Sequence, residues 1–335
     1  MLTHLNLPPL TDRATMLELL QREEYGYLPP KPQALRWETE VLRKNYCAGK
    51  AVQYKVTLTA TVGEKEFSFP VEAVLPVKEG KYPFFVHIGF SDKLFASYQP
   101  TEELVNQGYA VLSFHYNDVT SDDGDFTNGL AGVLYPDGKR QPTDAGKIAL
   151  WAWAAQRVMD YAESRTDVLD LSRATVCGHS RLGKTALFAA ATDPRFACGY
   201  SNDSGCSGAA VSRCKEGETI QKICDKFPFW FCENYKKYAD REEEQPFDQH
   251  FLIASIAPRR ALVGSAEEDA WADPKNEFLS CVAAAPAFPG EFPHQHRQPA
   301  VGERVFGSHL GYHLRAGTHY FSRHDWHRLM DFLEE

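Results

Sequence analysis

The stretch "VCGHSRLGKTALF", Val176 to Phe188, joins an apolar run to a helix-forming segment through a turn of small residues. A serine at such a strand-to-helix turn is typical of a nucleophile elbow, whose usual pattern is G-x-S-x-G. Gly178 and Ser180 fit that pattern, but the second glycine comes one position late, at Gly183. The stretch therefore predicts a catalytic serine at Ser180, and the alternative is a serine that caps the following helix.

Strands and helices alternate on both sides of this turn, after an opening pair of strands. Continuous apolar runs such as "PFFVHIGF" (Pro83–Phe90) and "YAVLSFHY" (Tyr109–Tyr116) are typical of buried central strands. Alternation of this kind favours an α/β protein with a mostly parallel sheet and helices on both faces, a three-layer sandwich. The other predicted strands are Gln53–Val62, Phe67–Val77, Arg173–His179, Phe196–Asn202 and Arg259–Ala266.

We expect one domain over residues 1–335, with additions to the central sheet. Residues 1–50 are predicted to form a helical extension that packs on this domain, because "DRATMLELLQREEYGYL" precedes a proline-rich connector. Segments 118–144 and 207–249 are longer irregular inserts on either side of the elbow in sequence. Ligands bind at the carboxyl ends of parallel strands in such sheets, so both inserts are predicted to border the active site.

The formal net charge of −9, with no long basic run, argues against a nucleic acid or an anionic membrane as partner. No stretch approaches the roughly 18 apolar residues that a membrane-spanning helix needs. The N-terminus shows no signal-peptide pattern, so the sequence predicts a cytoplasmic protein, or a secreted one whose signal has been removed. The oligomeric state stays open.

The eight cysteines form no C-x-x-C pair and no zinc-type cluster with histidine, which predicts mostly buried free thiols. His294 and His296 in "FPHQH" could bind a metal, but one H-x-H in a proline-rich loop is weak evidence. We therefore expect neither a metal nor an organic cofactor.

A serine nucleophile needs a histidine base, and the base needs an acid that fixes its tautomer. The C-terminal stretch "RAGTHYFSRHDWHRLMDFLEE" has the expected layout, a loop followed by the last helix. His319 lies in the loop and is the favoured base. His324 at the helix entrance and His327 within the helix are the alternatives.

Two strand ends offer the acid. "SNDSGCSGAA" contains Asp203, and "GSAEEDAWADP" contains Asp269 among four carboxylates. Both stretches follow a predicted strand and would reach the same edge of the sheet as Ser180. For the oxyanion, the backbone N–H of Arg181 is the natural first donor, and the strand end at Gly89 and Phe90 is the candidate for the second.

The elbow "GHSRLGKTAL" resembles the G-x-S-R-x-G-K signature of the glucuronoyl esterases, carbohydrate esterase family 15, whose second glycine is displaced in the same way. The resemblance continues through "EEYGYLPP", "WAWAAQRVMDY", "NDSGCSGAA", "FPFWFCENY", "EEDAWADP" and "GTHYFSRHDW". It implies an α/β-hydrolase fold with Ser180 as nucleophile and His319 as base. It favours Asp203 as the acid, with Asp269 as the alternative.

The resemblance also implies the residues of the substrate pocket. Arg181 would support the oxyanion with its side chain as well as its backbone, and Lys184 would donate to sugar hydroxyls. Trp271 resembles the sugar-contacting tryptophan of the family, and Glu218 resembles a pocket glutamate.

Three positions depart from the family pattern. His179 stands where the fungal members have a disulfide-forming cysteine. Lys226 and Asn234 stand where the pocket's glutamine and glutamate contacts to the uronic ring are expected. The departures bear on the substrate more than on the hydrolytic chemistry.

The implied function is a serine carbohydrate esterase that hydrolyses an ester of (4-O-methyl-)glucuronic acid, or of a related sugar, through an acyl-enzyme on Ser180. The substrate would be a small sugar ester or an oligosaccharide. The first alternative is an acetyl xylan or sugar acetyl esterase with the same triad. The second is an inactive hydrolase fold that binds its ligand without cleaving it.

Overall fold

The computed structural model describes residues 2–90, 98–293 and 296–335. Its strands are β1 (Ala34–Asn45), β2 (Ala51–Val62), β3 (Lys65–Pro76), β4 (Tyr82–Gly89), β5 (Ala110–His115), β6 (Leu169–His179), β7 (Cys198–Asn202), β8 (Arg260–Ala266), β9 (Arg304–Phe306) and β10 (Leu310–Arg315). Within the described ranges they form a ten-stranded sheet in the order β1-β2-β3-β5-β4-β6-β7-β8-β10-β9. The strands from β5 to β10 in this order pair in parallel, whereas β1, β2, β3 and β9 pair antiparallel with their neighbours. The predicted mostly parallel sheet is confirmed.

The helices of the described ranges connect these strands and cover the sheet. They are α1 (Arg13–Leu20), α2 (Tyr46–Gly49), α3 (Thr101–Asn106), α4 (Tyr116–Val119), α5 (Gly129–Leu134), α6 (Lys147–Ala162), α7 (Arg181–Thr192), α8 (Ile220–Lys226), α9 (His250–Ala254), α10 (Pro274–Ala284) and α11 (Arg323–Glu334). None of them, over the part of the chain described, is long and apolar enough to cross a membrane.

Alternate residues of the central strand β4 pack into two separate cores. Phe84, Val86 and Ile88 belong to one cluster together with α6 and α7, whereas Phe85 belongs to a second cluster with Trp326 of α11. Successive side chains of a strand point to opposite faces of the sheet. Helices therefore cover both faces, which confirms the predicted three-layer arrangement.

Helix α6 anchors both inserts over the elbow. Every residue of this helix except Asp160 is buried, as expected for a helix that is apolar nearly all round. It packs against β4 and α7, and also against α5 and the turn Pro228–Trp230. Since α5 lies in the first insert and that turn lies in the second, α6 holds both inserts to the body of the protein.

The prediction of a helical extension over residues 1–50 is wrong for its second half. Helix α1 continues as a π-helical turn over Gln21–Tyr25, but residues 34–45 form β1 at the edge of the sheet. Nearly every β1 residue is exposed, so its sequence lacks the apolar alternation that marks a half-buried strand. The assignment of residues 1–335 to one domain stays a prediction.

All eight cysteines are free, and Cys214 alone among them is exposed, as the sequence predicted.

Candidate active site

The predicted nucleophile elbow lies at the junction of β6 and α7. Ser180 lies between them with φ 57° and ψ −128°, a conformation that costs strain in a residue with a Cβ atom. Its N–H donates to the carbonyl of Asn202 at the end of β7, 2.8 Å away. A sharp, strained turn of this kind presents the serine hydroxyl above the carboxyl end of the sheet.

The late glycine has a packing reason. A Cβ atom on Gly183 would lie 2.9 Å from Ser201 Oγ and 3.1 Å from Ser204 Cβ. Glycine at this position therefore lets α7 approach the end of β7. A Cβ atom on Gly178 would lie 2.2 Å from the carbonyl oxygen of Leu182, so this glycine is required by the turn itself.

His319 lies in the loop between β10 and α11, as predicted for the base. Its Nδ1 is 2.5 Å from Oδ2 of Asp269, a buried carboxylate that follows β8. The other oxygen of Asp269 accepts from the N–H of Ala272 at 3.2 Å, which fixes the carboxylate. When Nδ1–H is donated to Asp269, the lone pair of the ring lies on Nε2, the nitrogen with which a base accepts a serine proton.

Asp203, the acid that the sequence favoured, is not the carboxylate that contacts His319 Nδ1 in the structure, where Asp269 holds that position. Asp203 is buried at the end of β7, where Oδ1 accepts from the N–H of Ala266 at 2.7 Å and Oδ2 accepts from Arg315 at 3.1 Å. Burial raises the pKa of Asp203, and the Arg315 guanidinium opposes that rise. Asp203 lies within 4.8 Å of His319, but the hydrogen bond to His319 is made by Asp269.

Arg315, the last residue of β10, holds the loop that contains His319 against the sheet. Its Nη2 donates to the carbonyl of Thr318 at 3.1 Å and to that of Tyr320, the residues on either side of His319. Its Nε lies 2.8 and 3.0 Å from the two oxygens of Asp325 in the first turn of α11. The sequence analysis missed this residue, whose signal was an arginine at the end of a buried strand, just before the histidine loop.

One cavity of about 290 Å³ contains the predicted chemistry. It brings together the predicted nucleophile, the base, both acid candidates and the pocket residues named from the resemblance. Its lining consists of Ser180, Arg181, Lys184, Asp203, Ser204, Gly205, Glu218, Lys226, Phe227, Trp230, Asp269, Trp271, Ala272 and His319. The volume is near the lower end of the range for small-molecule sites.

Comparison with known proteins places the chain in a family. The family model described as glucuronyl esterase, fungi, matches residues 58–289. The chain is 40% identical to a carbohydrate esterase, MZ0003, from an unknown prokaryotic organism, over 70% of this chain and 55% of that protein. The chain belongs to the glucuronoyl esterase family.

Further relatives of the glucuronoyl esterase family agree with this placement. The chain is 30% identical to the 4-O-methyl-glucuronoyl methylesterase of Podospora anserina over 73% of this chain and 49% of that protein. The structure of a glucuronoyl esterase from Solibacter usitatus matches with a TM-score of 0.87 and 33% identity, covering 96% of this chain and 91% of that one. These matches confirm the α/β-hydrolase fold. The chain spans about half the length of the two curated relatives.

Arg181, the arginine of the family signature, is held by both inserts. Asp122 of the first insert accepts a hydrogen bond from its guanidinium, and the ring of Trp230 in the second insert lies 4.7 Å from it. The Nε1 of Trp230 in turn donates to Oδ1 of Asp122 at 2.6 Å. This arrangement fixes the guanidinium next to Ser180, and the sequence analysis predicted neither Asp122 nor Trp230.

Lys184, Glu218 and Trp271 form a chain of polar contacts along the cavity. Lys184 is buried, and its Nζ donates to the carbonyls of Ser204 and Cys206. It also lies 3.6 Å from Glu218, which accepts from Trp271 Nε1 at 3.0 Å. Two of the three Lys184 N–H groups are thus used inside the protein, so the lysine orders this wall as well as facing the cavity.

The predicted second oxyanion donor lies at the end of β4. The ring of Phe90 is 5.4 Å from the guanidinium of Arg181, which places this strand end beside the elbow. Residues 91–97 lie outside the described residues. As the first residue of α7, Arg181 has a backbone N–H without an intrahelical acceptor. The oxyanion roles of Gly89, Phe90 and Arg181 stay predictions.

Asp203, Asp269 and His319 each place a donor atom within 4.8 Å of the others, a spacing that a metal ion could use. The sequence analysis predicted no metal here. These groups already bond to the protein, Asp269 to His319 and Asp203 to Arg315, whose positive charge repels a cation. We interpret them as an acid–base network. Of the H-x-H motif, His294 lies outside the described residues.

Lys226 and Asn234, the two pocket positions that depart from the family pattern, lie in different places. Lys226 lines the cavity with Ser180 and His319. Asn234 does not line it, because its side-chain amide donates to the carbonyl of Arg22 at 2.9 Å. Of these two residues, only Lys226 is therefore placed to contact a ligand in this cavity.

Proposed function

We propose that this chain hydrolyses an ester of glucuronic acid, or of its 4-O-methyl derivative, through an acyl-enzyme on Ser180. The observation that carries the proposal is the cavity that Ser180 shares with His319, whose Nδ1 is held by Asp269 at 2.5 Å. The similarity to a named 4-O-methyl-glucuronoyl methylesterase supports the substrate class.

In the acylation step, His319 Nε2 takes the proton of Ser180 Oγ as that oxygen attacks the ester carbonyl carbon. The tetrahedral intermediate collapses, the C–O bond to the alcohol breaks, and His319 returns the proton to the departing alkoxide. Asp269 stabilises the imidazolium that exists between these two transfers. The products of this step are the free alcohol and a uronoyl ester on Ser180.

In the deacylation step, water takes the place of the alcohol. His319 removes a proton from the water as its oxygen attacks the acyl carbon, and the proton then passes to Ser180 Oγ as the acyl–oxygen bond breaks. The product is the free uronic acid, which ionises at neutral pH. Arg181 lies beside the developing oxyanion in both steps, and its backbone N–H is the first proposed donor.

The polar wall of the cavity suits a ring that carries several hydroxyl groups. Glu218 supplies an acceptor, and Trp271, with 48% of its surface exposed, supplies a face against which a sugar ring can pack. Lys184 holds Glu218 in place at 3.6 Å. In a uronate ester the sugar ring belongs to the acyl group that becomes bonded to Ser180, so its hydroxyl groups stay beside this wall in both steps. The acetyl group of an acetyl ester has no hydroxyl group to offer, which favours the uronate ester over the acetyl ester.

The test measures hydrolysis of methyl and benzyl glucuronate, acetylated xylo-oligosaccharide and 4-nitrophenyl acetate by the parent and by Ser180→Ala. We expect the glucuronate esters to be preferred by more than about tenfold in kcat/KM, or ~1.4 kcal/mol. Ser180→Ala should lose about 10³-fold or more in kcat. A parent protein that is inactive on glucuronate esters but active on acetyl esters would replace the proposed substrate. Full activity in Ser180→Ala would refute the mechanism.

A further inference from the structure

His179 is a buried histidine that the proposed reaction does not use. It is the last residue of β6, directly before Ser180, and only 2% of its surface is exposed. The centre of its ring lies 4.3 Å from the centre of the His319 ring, with an angle of 46° between the two planes. Phe321 stacks against the same His179 ring at 6.3 Å. The His179 ring is therefore packed directly against the proposed base.

Asn202 fixes this ring. His179 Nδ1–H donates to Oδ1 of Asn202 at 2.7 Å, and the two residues are partners in the parallel register of β6 and β7. The backbone carbonyl of Asn202 accepts the N–H of Ser180 at 2.8 Å. One residue thus holds the nucleophile through its main chain and the His179 ring through its side chain.

The orientation of His319 needs a support of this kind. The hydrogen bond from Nδ1 to Asp269 fixes one edge of the imidazole, but the ring plane can still turn about that bond. The His319 side chain is 42% exposed, so much of its surface lacks packing. The flat ring of His179 lies against it from the protein side, with the ring centres 4.3 Å apart.

We propose that His179 is a positioning residue, whose flat ring, fixed by Asn202, sets the plane of the His319 imidazole relative to Ser180. This inference rests on the proposed function, because it takes His319 to be the base. It explains why a histidine can stand beside the nucleophile without taking part in proton transfer.

His179 is suited to this place because it stays neutral. Burial lowers its pKa well below the usual range, and the electrostatic effects of the neighbouring His319 and of the Arg315 guanidinium lower that pKa further. The hydrogen bond with Asn202 opposes this effect but brings no negative charge. A neutral ring does not repel the positive charge that His319 acquires when it accepts the serine proton.

Two apolar variants of His179 that are similar in size test whether the flat shape of the ring matters. His179→Phe and His179→Leu both lose the hydrogen bond to Asn202 and both bury an apolar side chain, but only phenylalanine offers a flat face. We expect kcat on methyl glucuronate to be at least about tenfold higher in His179→Phe than in His179→Leu, with KM within about threefold of the parent in both. The labelling rate of Ser180 by a fluorophosphonate should follow the same order. Thermal unfolding measurements would check that both variants are folded.

Equal kcat in the folded phenylalanine and leucine variants would overturn the proposal, since the flat face would then be irrelevant. A difference confined to KM would overturn it as well. Ser180→Ala and His319→Ala, measured in parallel, test the proposed function separately. If either of these retains parental activity, the hydrolytic mechanism fails regardless of how the His179 variants behave.

Discussion

Replacing Asp269 by asparagine tests which carboxylate orients the base. The substitution keeps the shape of the side chain, but the amide can present an N–H group to His319 Nδ1 in place of an acceptor oxygen. The imidazole proton then moves to Nε2, and the lone pair that should receive the Ser180 proton is lost. Asp269 Oδ2 lies 2.5 Å from His319 Nδ1, so an amide nitrogen at this position would face the ring nitrogen directly.

The size of the expected loss follows from the same contact. In a serine protease triad the equivalent change lowers kcat by about 10⁴-fold, or about 5.4 kcal/mol at 1.36 kcal/mol per factor of ten. The His319 side chain is 42% exposed, so water can compete for Nδ1 and soften the effect. We therefore expect Asp269→Asn to lose about 10³-fold in kcat with KM changed by less than about threefold.

Asp203→Asn is the matched control. Asparagine keeps an oxygen for the N–H of Ala266, but Arg315 loses one of its two carboxylate partners, and the other, Asp325, remains. The loss of unfolding free energy should therefore be about 1–3 kcal/mol, below the 3–5 kcal/mol of a fully orphaned buried charge. Its kcat should fall by less than about tenfold. Initial rates and urea unfolding measure both quantities, and a 10³-fold loss in Asp203→Asn with little loss in Asp269→Asn would refute the reasoning.

Two further predictions concern the inserts and the buried carboxylate Glu24. Asp122→Asn removes the anionic partner of Arg181, so we expect kcat/KM to fall by about 10- to 100-fold while the unfolding free energy changes by about 1 kcal/mol. Trp230→Phe is the comparison variant, because it keeps Asp122 and a ring over the arginine and removes only the hydrogen bond from Nε1 to Asp122. Unchanged kcat/KM in Asp122→Asn would contradict a role for the guanidinium. Burial raises the pKa of Glu24 from 4.5 to about 8, where Gln249 donates to both its oxygens at 3.0 Å. The native state then holds a proton that the unfolded chain has lost, so stability should fall as pH rises from about 5 to 8, by at most about 1.4 kcal/mol per pH unit. Glu24→Gln has no such proton and should give a flatter curve in urea unfolding across this range, whereas parallel curves would contradict the shift.

The sequence predicted the centre of the fold well because burial leaves a simple pattern. Central strands such as β4 are enclosed on both faces and appear as continuous apolar runs. The edge strand β1 is exposed along nearly all its length, so no apolar pattern marks it, and the sequence analysis extended the helical segment over it. What fixes β1 is its backbone pairing with β2, which side-chain patterns do not record.

The positions of Ser180 and His319 in the fold could also be predicted, because each residue lies in a local context with its own sequence signature. Ser180 is marked by the glycines of its turn, and His319 by a loop before the last helix. The support of Arg181 could not be predicted in the same way. Asp122 and Trp230 are 108 residues apart in the sequence and belong to different inserts, and they meet only because α6 holds both inserts together.

Local sequence could not decide between the two candidates for the acid. Asp203 and Asp269 follow the neighbouring parallel strands β7 and β8, and both lie within 4.8 Å of His319. The choice between them depends on a third residue, Arg315, whose guanidinium engages Asp203 and the backbone of the histidine loop together. With Asp203 engaged by this cation, Asp269 is the carboxylate that accepts from His319. Which of the two carboxylates contacts His319 is therefore set by a charge on β10, which only the folded sheet brings beside the end of β7.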